Sequence, residues 1–148
     1  MLRVGIFLLI DTPSILTFDR RCQHQASPLL KGHLVLLAED EPLIAFDTEE
    51  VLRSVGADVL VAPDFDAMSA TGKTEVTAAV LDYRLAKQTI ELVCARLKSR
   101  RVPYVITTGD DGMPDMGGKT LLKPVDGATL ISALVEALAR QLPASLAR

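Results

Sequence analysis

The chain has no tryptophan, only two histidines and two cysteines, and 4% aromatic residues, so any core must be largely aliphatic. His24 and His33 both precede the first well-defined strand, and no histidine-rich ligand set can be built from them. Cys22 and Cys94 stand at no metal or redox spacing. In a reducing compartment they read as free thiols, with Cys94 a small core residue on a helix. Neither sign of charge dominates. A net charge of -3 without a basic stripe gives no support for a nucleic-acid surface. Val4–Ile10 is the one apolar segment that raises a targeting question, and it falls far short of the ~20 residues of a membrane helix. Arg3 precedes it, but Asp11 follows at once and no small-x-small cleavage site appears. The expectation is a cytoplasmic protein with no membrane or nucleic-acid partner.

What is present is a regular alternation of strands and helices. At 148 residues there is room for one domain with a real core and too little for two ordinary ones. Strands are expected over Leu34–Ala38 and Ala57–Ala62, in the run ending at Asp82, after Pro103, and at Leu121-Leu122. Pro42 sits in the first turn of a helix, where its missing N–H costs nothing. Ile44, Val51, Leu52 and Val55 give that helix an apolar stripe, and Gly56 supplies a left-handed cap. A short, weak helix spans Asp64–Ser69, and another covers Thr89–Leu97 with Ile90, Val93, Cys94 and Leu97 inward. Asp126 caps a final helix carrying Leu130, Leu134 and Leu138. Repeated βα units imply a parallel sheet covered on both faces. Residues 1–33 read as a poorly ordered N-terminal extension, residues 34–141 as the domain, and residues 142–148 as a tail without room for an output domain.

The chemistry collects where the strands stop. Leu34–Ala38 runs into Glu39-Asp40, Ala78–Leu81 into Asp82, Tyr104–Thr107 into Thr108-Gly109, and Leu121-Leu122 into Lys123-Pro124. In an open α/β sheet, ligands bind at the carboxyl ends of the strands. Adjacent acids there suit magnesium, a hard cation that takes oxygen ligands and keeps several waters. A carboxylate such as Asp82 can attack a phosphoryl donor and form an acyl phosphate. The acids alone would repel the incoming phosphate, so a divalent cation is required. Thr108 and Lys123 supply a hydroxyl and an ammonium for the phosphoryl oxygens. Taken singly, each has a plain explanation: a solvated acidic loop, a turn aspartate, a strand threonine, a surface lysine. Four in this order at one sheet edge do not. Gly72-Lys73-Thr74 and Gly118-Lys119-Thr120 echo a P-loop ending, but Ala67 and Met113 occupy the positions where its first glycine belongs, which excludes nucleotide binding.

These residues resemble a known family. Val35-Leu-Leu-Ala-Glu-Asp-Glu-Pro-Leu-Ile-Ala45, Val80-Leu-Asp-Tyr-Arg-Leu85, Pro103-Tyr-Val-Ile-Thr-Thr-Gly109 and Leu122-Lys-Pro124 are similar to the motifs of a two-component response-regulator receiver domain of the stand-alone type. The resemblance implies a flavodoxin-like, doubly wound five-stranded parallel sheet of strand order 2-1-3-4-5. It implies Asp82 as phosphoacceptor, Asp40 as direct magnesium ligand, Glu39 as its water-mediated neighbour and the Arg84 backbone carbonyl as a further ligand. Thr108 takes the role of the switch hydroxyl, and Lys123 pairs with the phosphoryl group, next to a cis bond to Pro124. The implied partners are a histidine kinase or a His phosphotransfer protein and an unidentified downstream protein. The implied function is signalling by protein contact, or service as a phosphate shuttle or sink, and not enzyme catalysis.

The chain also departs from the family pattern. Thr120 stands where an aromatic usually moves with the switch threonine. Asp110–Gly118 is rich in helix breakers, so the fourth helix, between strands four and five, is expected to be reduced or missing. Arg84 and Asp110 are expected to form an ion pair over the phosphoryl group. Two other readings share these residues. One is an interaction module that does not depend on phosphorylation. The other is an Asp-nucleophile phosphatase, disfavoured because Arg84 occupies the position of its acid.

Overall fold

The computed structural model describes residues 28–70, 74–86 and 90–141. Five strands, β1 (Leu34–Ala38), β2 (Asp58–Ala62), β3 (Ala78–Asp82), β4 (Tyr104–Thr108) and β5 (Lys119–Leu122), form one parallel sheet of order β2-β1-β3-β4-β5. β3 and β4 are buried along their whole length. That is why Ala78–Leu81 and Tyr104–Ile106 read in the sequence as apolar runs rather than as alternation.

The helices are α1 (Pro42–Ser54), α2 (Phe65–Ala70), α3 (Tyr83–Ala86), α4 (Ile90–Ser99) and α5 (Gly127–Ala139). Successive strand residues point to opposite faces, and this sorts the core into two layers. Leu36, Leu81 and Ile106 pack with Met68 of α2 and with Ile90, Val93, Cys94 and Leu97 of α4. Val35, Leu37, Val80 and Val105 pack on the other side with Leu52 of α1 and with Leu130, Ala133 and Leu134 of α5. Leu134 is fully buried, and its truncation to alanine would cost about 2–5 kcal/mol.

The caps follow the sequence closely. Asp126 accepts the Thr129 N–H at 2.9 Å at the start of α5. Gly56 closes α1 at φ +91°, with its N–H on the Arg53 carbonyl and the Ala57 N–H on that of Leu52. Of the expected α1 stripe, Leu52 and Val55 are buried and Val51 is half-buried, while Ile44 turns outward and Ala45 takes the inward place. The turn α3 is too short to leave a periodic signal and was not expected. Leu30, assigned by sequence to the extension, is fully buried, and its N–H bonds the Val55 carbonyl at 2.9 Å. Cys22 and residues 1–27 and 142–148 lie outside the described residues.

No helix joins β4 to β5: residues 109–118 form turns and bends, as the density of glycine and proline required. Met113 and Met116 from this segment pack against the α2–α4 layer in its place. The replacement is partial, and Leu122 on the edge strand β5 stays 55% exposed. No helix among the described residues is long and apolar enough to cross a membrane.

Candidate functional site

The parallel register carries the polar ends of the strands to one edge of the sheet. Ala38 lies opposite Leu81, Asp82 opposite Thr107, and Thr108 opposite Leu122. Glu39, Asp82 and Lys123 are thereby brought into contact, and Thr108 lies at the same edge with its carbonyl accepting the Lys123 N–H at 2.7 Å.

Asp82 is buried, and both of its oxygens are engaged. The Arg84 N–H donates to Oδ1 at 3.0 Å, and Lys123 Nζ stands 3.1 Å from Oδ2. Glu39 is buried beside it, accepting the Glu41 N–H on Oε1 at 3.1 Å and the Lys123 ammonium on Oε2 at 3.3 Å. Asp40 is exposed, with no hydrogen-bond partner among the described residues. One carboxylate oxygen from each of Glu39, Asp40 and Asp82 lies within 4.8 Å of the others.

Lys123 is 27% exposed on its side chain and reaches this cluster from a Lys123-Pro124 peptide bond that is cis, as expected. Burial pulls its pKa down, but the hydrogen bond and charge of Asp82, followed by those of Glu39, outweigh it, so the ammonium is held above its ordinary value. Burial pushes the Glu39 carboxyl up, and the nearby Asp82 charge adds to this. The Glu41 N–H and Lys123 oppose the shift without cancelling it.

The donor set fits magnesium: oxygen ligands only, converging from two strand ends. Three carboxylates facing one ammonium also leave an excess of negative charge for a cation to balance.

Two cavities meet here. A cleft of about 400 Å³ is lined by Glu39, Asp40, Asp82, Arg84, Gly109 and Lys123. A second, of about 480 Å³, also touches Glu39, Asp82 and Lys123 and runs between α1 and the Pro124-Val125 segment.

Thr108 is in place at the end of β4 and buried. Its hydroxyl accepts the Asp110 N–H at 3.0 Å and donates to the Asp110 carbonyl at 3.3 Å. In this unphosphorylated site Arg84 and Asp110 do not pair, and the Asp110 carboxylate accepts the Gly112 N–H at 2.9 Å, closing a local turn. Leu43 and Phe46 are 75% and 61% exposed on α1, the helix that carries the cleft residue Ile44, and were not singled out by sequence. The signal was there: both lie out of phase with the inward stripe of that helix.

No family model matches the chain, and no curated protein does. Solved structures do match. A CheY-like response regulator receiver domain protein from Methanospirillum hungatei JF-1 is 24% identical, with TM-score 0.65 over 76% of this chain and 96% of that one. The receiver domain of a sensor histidine kinase from Pseudomonas aeruginosa PAO1, which has a magnesium ion coordinated in its active-site cleft, is 26% identical. Its TM-score is 0.63 over 73% of this chain and 98% of that one. A response regulator receiver domain protein from Clostridium thermocellum is 20% identical, with TM-score 0.64 over 74% and 96%. The fold is that of a response-regulator receiver domain.

Proposed function

We propose that this receiver domain accepts a phosphoryl group on Asp82 from a phosphohistidine of a histidine kinase or His phosphotransfer protein. It then signals by protein contact or serves as a phosphate shuttle or sink. The observation that carries this reading is the buried Asp82 carboxylate, oriented by the Arg84 N–H and paired with Lys123, at the floor of an open cleft.

In the transfer, an Asp82 oxygen forms the new O–P bond as the donor's N–P bond breaks. The leaving imidazole keeps the electron pair and takes up a proton. Lys123 follows the charge: its ammonium, now shared between Asp82 and Glu39, pairs with an oxygen of the arriving phosphoryl group. The Thr108 hydroxyl must leave Asp110 to reach another phosphoryl oxygen, which couples the reaction to the segment that follows. Asp40, Glu39, Asp82 and the Arg84 backbone carbonyl would hold magnesium, which when bound neutralises the repulsion between the carboxylates and the phosphoryl oxygens. Leu43 and Phe46, exposed on α1, would offer the donor protein an apolar contact.

Treatment with acetyl phosphate and magnesium tests the chemistry. One added phosphoryl group that hydroxylamine removes is the result expected of an acyl phosphate. A hydroxylamine-resistant adduct would refute it.

A further inference from the structure

At the opposite edge of the sheet, the amino ends of β4 and β5 and the carboxyl ends of α4 and α5 enclose a cavity of about 450 Å³. Its lining carries Lys98, Arg101, Lys119 and Arg140 against a single carboxylate, Glu136, in a chain whose net charge is -3. Glu136 is already taken by Lys119 at 2.6 Å and by Arg140. Among the described residues, no carboxylate pairs with Lys98 or Arg101.

Arg101 also occupies a position that glycine would fill more comfortably. It follows α4 at φ +56°, with its N–H on the Lys98 carbonyl at 2.9 Å and the Val102 N–H on the Leu97 carbonyl at 2.8 Å. The same pair of bonds closes α1, and there the left-handed residue is Gly56. A side chain in this conformation is disfavoured by steric conflict with its own backbone. At this cap, which lines the cavity, the chain accepts that conflict and places an arginine there. Facing it, Gly117 lets the Lys98 ammonium lie against the backbone: a Cβ there would stand 2.4 Å from Nζ.

We propose that this cavity binds a small organic phosphate, held by Arg101 and Lys98. The charge pattern selects a phosphate: a planar guanidinium fork and a mobile ammonium suit a dianion with several acceptor oxygens. The walls select an organic one, because Val102, Pro103 and Ala133 are apolar and buried. The volume is that of a small-molecule site. The proposal does not rest on the phosphoryl-acceptor reading, since the two sites lie at opposite ends of the strands.

The test uses the full chain carrying Asp82→Asn, without divalent cations, so that the other site can be neither phosphorylated nor metal-loaded, and binding is read at amides around this cavity. Phenyl phosphate is titrated and followed by NMR, with phenol and inorganic phosphate as comparators. Saturable shifts of the Val102, Gly117 and Gly118 amides are expected with phenyl phosphate, at lower concentration than with either comparator. Arg101→Gly should weaken binding by about tenfold or more without lowering Tm, since glycine relieves the left-handed strain. Lys98→Ala, which leaves the backbone untouched, should weaken it as well. Absent shifts at these amides, phosphate binding as tightly as phenyl phosphate, or unchanged affinity in both variants would overturn the proposal.

Discussion

Lys123 reaches Asp82 across an intervening strand: β4 separates β5 from β3, yet the ammonium stands 3.1 Å from Asp82 Oδ2 and 3.3 Å from Glu39 Oε2 on the far side. One cation thus holds two buried carboxylates that would otherwise repel each other. On the proposed function, the charge that would pair with the phosphoryl group is already in place.

Glu39 is committed to the Glu41 N–H and to Lys123, whereas Asp40 has no partner among the described residues, so the proposed function gives Asp40 the direct metal contact. Asp40→Ala is expected to weaken magnesium affinity by more than ~10-fold, and Glu39→Ala by less. A metal titration in which Glu39→Ala is the more damaging change would reverse these roles.

The raised Glu39 pKa has a consequence for stability. A carboxyl that holds its proton more tightly when folded contributes stability that is complete below its ordinary value of 4.5. That contribution is lost as pH rises through the raised folded value. Asp126 and Glu136, both lowered through hydrogen bonds from Thr129 and Lys119, have the opposite sign and lose their contribution as pH falls. In urea titrations without divalent cations, Glu39→Gln should therefore gain on the wild type as pH climbs above 4.5, and magnesium should shrink the gap. Parallel pH profiles with and without the substitution would contradict this.

The Thr108 hydroxyl ties the end of β4 to Asp110. Phosphorylation of Asp82 is expected to break that tie and re-order residues 109–118, with no aromatic following, since Thr120 has none to move. Hydrogen exchange should change mainly in that segment, and Thr108→Ala should abolish the change while leaving phosphorylation intact. Changes confined to α5 would refute it.

Tyr104 anchors the same segment from below. Its hydroxyl donates to the Met116 carbonyl at 2.6 Å, and burial, reinforced by Cys94, pushes its pKa well above the ordinary value. Tyr104→Phe leaves that carbonyl without its partner and should cost about 1–2 kcal/mol. The loss would show in urea unfolding, together with faster exchange at Gly117 and Gly118. An unchanged midpoint would mean that the segment is held by Met113 and Met116 alone.

What the sequence made legible was whatever depends on local pattern. Apolar runs ending in acids marked β1 and β3, Asp126 and Gly56 marked caps, and the breakers in 110–118 marked a missing helix. Contacts between segments were not legible. Nothing in the sequence places the Asp110 carboxylate on Gly112 rather than on Arg84, because both options lie within reach of a short acid in a loop. Leu30 looked like linker because one buried residue next to Lys31-Gly32 has no period. The cation set around Arg101 was hidden because Lys98, Arg101, Lys119 and Arg140 come from separate elements that only the fold brings together.

The central claim is that Asp82 is the acceptor, and intact-mass measurement after acetyl phosphate and magnesium tests it most directly. The wild type should gain one phosphoryl group and Asp82→Asn none. A full mass gain in Asp82→Asn would contradict the account.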